Sequence, residues 1–260
     1  MTSLLRMCKR IKIAYKESKR WRAFSENRVT TFCYFLFGNG RFASAHRFRF
    51  GRMRFFARYV DSCPIEEIII GREYDFISSW FESRHAPVVL DLGANIGLFS
   101  LFVFNVCPAA EVYSIEPAES TYRILARNRR TNPDLNWHVL NYAIWSEDGR
   151  IGFVYCPDAS SSSYANDDSD ENSVPAISLR SLLERIGKPV DLLKMDIEGA
   201  EERVLEANQD ILGKIDAMIV EIHPHRCDQE HVIQILRESY KNIRWIERCK
   251  SKKPLLFVNR

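Results

Sequence analysis

"VVLDLGANIGLFS", residues 88–100, decides the fold. A hydrophobic strand ends around Asp91, a tight loop holds Gly93, Asn95 and Gly97, and a helix begins at once. Glycines at such a corner open backbone conformations closed to other residues and let a ligand reach the main chain. From residue 65 onward, short apolar runs alternate with helical patterns, which predicts an α/β domain with a doubly wound, mostly parallel sheet. The expected strands are "IEEIII" (65–70), "PVVLDL" (87–92), "EVYSIE" (111–116), "NWHVLNYAI" (136–144), "VDLLKMD" (190–196) and "AMIVEIH" (217–223). Helices are expected over 73–84, 96–106, 118–130, 197–212 and 228–240. "IRWIER" (243–248) and "PLLFVNR" (254–260), joined by "CKSKK", read as an antiparallel pair because the joint is short.

The glycine loop departs from the dinucleotide fingerprint G-x-G-x-x-G, since Asn95 and Leu98 stand where its second and third glycines belong. It resembles instead the acid-x-Gly-x-Gly/Asn-x-Gly loop of class I S-adenosylmethionine (SAM) methyltransferases. The second strand ends at Glu116, whose carboxylate can accept hydrogen bonds from two ribose hydroxyls. The competing reading of both acids is an ordinary strand end and helix cap. "VVLDLGANIGLFS", "SIEP", "SLRSLLE", "LLKMDIEGAE" and "IVEIHP", in this order, resemble the FkbM-type methyltransferases over residues 65–260. The resemblance implies a seven-stranded sheet whose last strand is antiparallel. It also implies SAM as methyl donor and a hydroxyl acceptor on a carbohydrate, glycoconjugate or polyketide-type natural product. Asp91, Gly93, Ala94, Asn95, Gly97, Glu116 and Pro117 are the expected cofactor residues, with Asn141 and Ala143 beside the adenine.

Ligands of open α/β sheets bind beyond the carboxyl ends of the strands, which brings Asp196 and His223 to the same crevice. A hydroxyl is a weak nucleophile and needs a base, so Asp196, His223 and Glu198 are the candidate catalytic groups. Asp196 also stands where it would N-cap a 197–212 helix, with Glu201 and Glu202 serving the helix dipole. Lys194 is expected to pair with a neighbouring acid. A metal held by Asp196 with Glu221 or His223 is a weaker alternative, because one carboxylate with a histidine suits hard cations poorly. No metal is expected.

The charge is unevenly spread. Residues 1–60 hold 15 Lys and Arg against Glu17 and Glu26, while the whole chain nets only +3. A basic, aromatic-rich segment (1–64) therefore precedes the transferase domain (65–260). Its partner is either an anionic membrane surface or the chain's own core. Nucleic-acid methylation is the alternative function that this segment raises; the missing N-P-P-[YF] motif after strand four argues against amino-group methylation and leaves RNA 2′-hydroxyl methylation open. Seven scattered cysteines without a C-x-x-C pair argue against a disulfide framework or zinc site and suggest a cytoplasmic protein, at most peripheral to the inner face of a membrane. "PDASSSSYANDDSDENS" (157–173), six serines and five acids without a base, reads as an inserted surface loop at the tip of a hairpin.

Overall fold

The computed structural model describes residues 3–37, 45–156, 163–166, 172–248 and 253–260. Helices α1 (Ser3–Arg20) and α2 (Arg28–Phe37) pack on each other and precede a hairpin, β1 (His46–Phe50) and β2 (Met53–Ala57). A helical turn, α3 (Ser62–Pro64), runs into a π-helical turn at Ile65–Ile70, and α4 (Ser78–Glu82) leads into the main sheet. There β3 (Val88–Leu92), α5 (Leu98–Val106), β4 (Glu111–Ile115), α6 (Glu119–Thr131) and β5 (Trp137–Leu140) alternate. A second sheet follows, from β6 (Ala143–Trp145), β7 (Gly149–Val154), β8 (Tyr164–Asn166) and β9 (Ser173–Ser178). The chain then returns through α7 (Leu179–Ile186), β10 (Val190–Met195), α8 (Glu201–Glu206), β11 (Ile215–Glu221), α9 (Gln229–Ser239), β12 (Asn242–Ile246) and β13 (Leu255–Asn259).

The main sheet has seven strands in the order β12-β13-β11-β10-β3-β4-β5. Its strands are parallel except β13, which inserts antiparallel between β11 and β12. This is the expected doubly wound sheet with its antiparallel terminal pair. The chain leaves β3 in one direction and returns to β10 in the other, so the crevice between their carboxyl ends is the topological switch point. All five residues of β3 are buried, and "LFSLFVF" of α5 is buried on every side, as expected of a segment apolar all round.

Several elements differ from the sequence expectation. "IEEIII" is a helical turn and not a strand: Ile65 and Ile69, four apart, face inward, and the Gly71 N–H bonds back to the Glu66 carbonyl. Between them Glu66 accepts the Trp21 indole N–H and pairs with Arg20. "NWHVLNYAI" is two strands, because the chain turns at Asn141 and Tyr142 and β6 pairs with β9 in the second sheet. The 197–212 helix is shorter than its apolar spacing suggests. It starts only at Glu201 and gives way to a tighter turn at Gln209–Lys214. Within the serine-rich insertion, Tyr164–Asn166 pairs with β7 as a strand, while 157–162 and 167–171 lie outside the described residues. Trp21 and Tyr34 are buried in one apolar cluster with Phe48, Phe55 and Phe99, so these two aromatics face the core. Burial on that scale contributes about 1.5–3 kcal/mol for each large side chain.

Candidate active site

The glycine loop closes over the end of β3 through its own backbone. The N–H groups of Gly93 and Ala94 both donate to the Ile115 carbonyl at the end of β4, at 3.0 and 2.9 Å. Gly93 has φ +73°, and a Cβ there would stand 1.7 Å from the Asp196 carbonyl oxygen, so no other residue fits. Gly97, at φ +88°, begins α5 against the Trp137 ring, facing the core. Asp91 is fully buried beneath the loop. One of its oxygens accepts from the Ser100 hydroxyl at 2.7 Å, and the other lies 3.4 Å from Lys194 Nζ. Burial pushes the Asp91 pKa up against the pull of Lys194. Lys194 also donates to the Gly93 carbonyl at 3.0 Å and pairs with Asp196 at 3.4 Å, as expected of it.

Glu116 lies at the end of β4 with each oxygen accepting one backbone N–H, from Ala118 and Asn95, both at 2.9 Å. Burial raises its pKa to about 7 against those bonds. Each oxygen retains a lone pair for a further donor. Asn141 points its amide at the carbonyls of Glu116 and Pro117, at 2.8 and 3.0 Å, and so braces this turn from behind. A cleft of about 280 Å³ opens between these elements. Gly93, Ala94, Asn95, Glu116, Pro117 and Ala143 line it, together with Asp196, Glu198, Glu221, Arg248 and Lys253. Asp91, Gly97, Asn141 and His223 stand behind its walls.

The quoted acids of "KMDIEGAE" are arranged differently from a helix cap. Asp196 precedes a turn in which Glu198 has φ +56° and Gly199 φ +109°, so its side chain caps no helix. Asp196 Oδ1 is buried without a hydrogen-bond partner. Burial works against its charge, but Lys194, His223, Lys253 and Arg248 outweigh it and lower the pKa. Glu201 is no surface dipole residue: it is wholly buried, and its Oε1 accepts from the backbone N–H of Ile197 and Gly199. The same oxygen lies 2.8 Å from His223 Nδ1. Glu202 ties α8 to α9, accepting the Asp228 N–H and meeting His231 Nδ1, both at 2.8 Å.

His223 is fully buried, one layer behind the cleft. Its Nε2 is 2.7 Å from Lys253 Nζ and 3.1 Å from Glu198, with Asp196 and Glu221 each at 3.7 Å. Burial opposes charge on the ring, while Glu198 and Glu201 draw its pKa upward. Burial and Asp196 raise Glu221 to about 7 against Arg248 and Lys253. Asp196, Glu221 and His223 offer ligand atoms within 4.8 Å of one another, a grouping that could hold a cation.

Sequence reasoning missed Glu73, Arg248 and Lys253. Arg248 grips Glu73 with two nitrogens, at 2.8 and 3.0 Å, and Glu221 with a third contact at 2.6 Å. The available signal was "CKSKK" itself: a basic joint between antiparallel terminal strands must return to the carboxyl end of β11.

The family comparison covers this same region. The Methyltransferase FkbM domain matches residues 91–244. Methyltransferase sdnD of Sordaria araneosa is 30% identical over 154 residues, covering 46% of this chain and 60% of that protein. Hexuronic acid methyltransferase AglP of Haloferax volcanii is 29% identical over 161 residues, covering 61% of this chain and 64% of that protein. The 31-O-demethyl-FK506 methyltransferase FkbM of Streptomyces tacrolimicus is 28% identical, covering 60% of this chain and 73% of that protein. The match thus spans less than two thirds of the first two relatives. With the glycine loop, the acid of β4 and the complete "KMDIEGAE" turn inside the matched span, the chain belongs to the FkbM methyltransferase family.

Proposed function

We propose that the chain is a SAM-dependent O-methyltransferase acting on a hydroxyl of a carbohydrate, glycoconjugate or related natural product. The observation that carries this reading is one cleft lined by Glu116, the glycine loop and Asp196 together. The residues fit the donor: Glu116 keeps lone pairs for ribose hydroxyls, and Ala143 and Ile144 give an apolar wall for a base. When bound, SAM supplies an electrophilic methyl on a sulfonium. The chain's part is to aim the acceptor oxygen at it, keep water out, and hold the departing proton at Asp196. AglP is named for a hexuronic acid and FkbM for 31-O-demethyl-FK506, which supports the acceptor class. Incubating purified protein with methyl-labelled SAM and cell extract, then reading the label by mass spectrometry, tests the proposal. Absence of any labelled product would count against it.

In this reading residues 65–260 form the transferase unit, and residues 1–64 an accessory segment of a cytoplasmic protein. No helix among the described residues is long and apolar enough to cross a membrane. Met7, Ile11 and Tyr15 of α1, spaced by four, are 61%, 38% and 55% exposed. Exposed Lys9, Lys12, Lys16 and Lys19 accompany them. An apolar stripe edged by lysines suits an anionic lipid surface. The full chain should sediment with phosphatidylcholine–phosphatidylglycerol vesicles and not with phosphatidylcholine alone, and Ile11→Asp should abolish the difference. Equal sedimentation with both vesicles, or with neither, would contradict peripheral contact.

A further inference from the structure

Where Asp196, Glu221 and His223 converge, the chain puts a cation of its own. Lys253 Nζ lies 2.7 Å from His223 Nε2, 3.2 Å from Glu221 Oε1 and 3.3 Å from Glu198 Oε1. These partners are two carboxylates and an imidazole, a set that would serve equally as ligands to a divalent ion. The fold fixes the arrangement. Pro254 accepts the Ile222 N–H at 2.9 Å where β13 begins, which holds Lys253 beside the end of β11. On the far side of the ring Nδ1 meets Glu201 at 2.8 Å, so Nε2 is the ring nitrogen that faces the ammonium.

We propose that Lys253 is a catalytic residue of the methyl transfer, supplying from within the chain the cation that polarises the acceptor hydroxyl, in the place a divalent ion would otherwise take. This rests on the O-methyltransferase reading. Two other cations line the cleft, and both lie deeper: the side chains of Lys194 and Arg248 are 6% and 5% exposed, against 34% for Lys253. Arg248 is clamped between Glu73 and Glu221, and Lys194 is spent on Asp91, Asp196 and the Gly93 carbonyl. The Glu198 contact, the longest of those that Lys253 makes with this cluster, is the one an incoming hydroxyl oxygen would replace. In the transfer, the acceptor oxygen's electron pair forms the new O–C bond. The S–C bond breaks with its pair returning to sulfur, and the hydroxyl proton passes to the Asp196 carboxylate. Lys253 keeps its protons throughout and stabilises the negative charge left on oxygen as that proton departs, until the O–C bond consumes it.

Manganese(II) chloride is a probe that needs no acceptor. Titrated into the full-length protein and followed by electron paramagnetic resonance, it should find no tight site in the wild type or in Lys253→Arg. In Lys253→Ala, with the ammonium gone, one site should appear, and adding Glu221→Gln should remove it. Label transfer from SAM into the extract fraction should fall about 10²–10³-fold in Lys253→Ala, the usual cost of one donor to a developing oxyanion. Lys253→Arg should recover part of it. Tight manganese binding by the wild type, no gain of binding in a folded Lys253→Ala, or undiminished transfer by that variant would each overturn the assignment. If the wild type labels nothing, the O-methyltransferase reading fails instead, and the manganese titrations still report whether Lys253 fills a cation site.

Discussion

At the residue scale, two carboxylates carry different work because their surroundings differ. Glu116 is expected to hold the donor's ribose, so Glu116→Ala should weaken binding of the demethylated product, S-adenosylhomocysteine, by about 1.5–3 kcal/mol in calorimetry. Unchanged affinity in the folded variant would remove the assignment. Asp196 lines the cleft, and Lys194, Lys253 and Arg248, with His223 beside them, lower its pKa against burial. Asp196→Asn should therefore leave S-adenosylhomocysteine affinity near wild type while turnover falls by about 10²–10⁴-fold. Both acids were legible from their positions at strand ends. Glu201 was not, because sequence periodicity marks it as a helix-start residue and cannot say that the turn before it folds the carboxylate inward.

At the scale of elements, Glu201 joins three things: the turn at 197–200, the start of α8 and the ring of His223. Truncating it would leave two backbone N–H groups and an imidazole without their acceptor in a dry interior. Glu201→Ala is expected to cost about 3–5 kcal/mol in denaturant unfolding, the range for breaking a buried charged network. Glu202→Gln, at the partly exposed α8–α9 seam, should cost under about 1 kcal/mol. Equal effects would mean that the turn is held by something else. Strands β3, β10 and β11 were readable because largely buried parallel strands write themselves as mostly apolar runs. The π-helical turn at Ile65–Ile70 was misread because β-branched residues favour strands only weakly, and burial of Ile65 and Ile69 on one side decides otherwise.

For the whole molecule, the cleft holds acids under conditions that disfavour their charge. Glu116 and Glu221 both have pKa values raised to about 7 in the folded chain, against an ordinary 4.5. A carboxylic acid raised on folding contributes stability that is complete below its unfolded value and is lost as pH climbs through its folded one. Ligand-free protein should accordingly lose stability between about pH 4.5 and 7 from these two groups, and Glu116→Gln should reduce that loss in thermal melts. Asp196, lowered on folding, acts in the opposite sense, losing its contribution only at more acidic pH. A melting profile in which Glu116→Gln follows wild type across that window would show that Glu116 is not strained in the empty cleft. The parallel core and the antiparallel terminal pair were foreseeable from alternating runs and one short joint, and the count of seven strands from the family resemblance. Of the second sheet only the β7–β9 hairpin around the serine-rich insertion was legible, since β6 continues β5 in sequence and parts from it only in space.

Gly93 presses its backbone against the carbonyl of Asp196, and Lys194 bonds to the carbonyl of Gly93 itself. The two halves of the reaction therefore share a single wall, with no soft layer between them to absorb displacement. Any shift of the glycine loop on taking up a nucleoside is transmitted to the carboxylate that meets the second substrate. Linkage makes that communication reciprocal: whatever factor the first ligand imposes on the affinity of the second, the second imposes on the first. An ordered kinetic scheme would then be a property of one glycine's missing side chain.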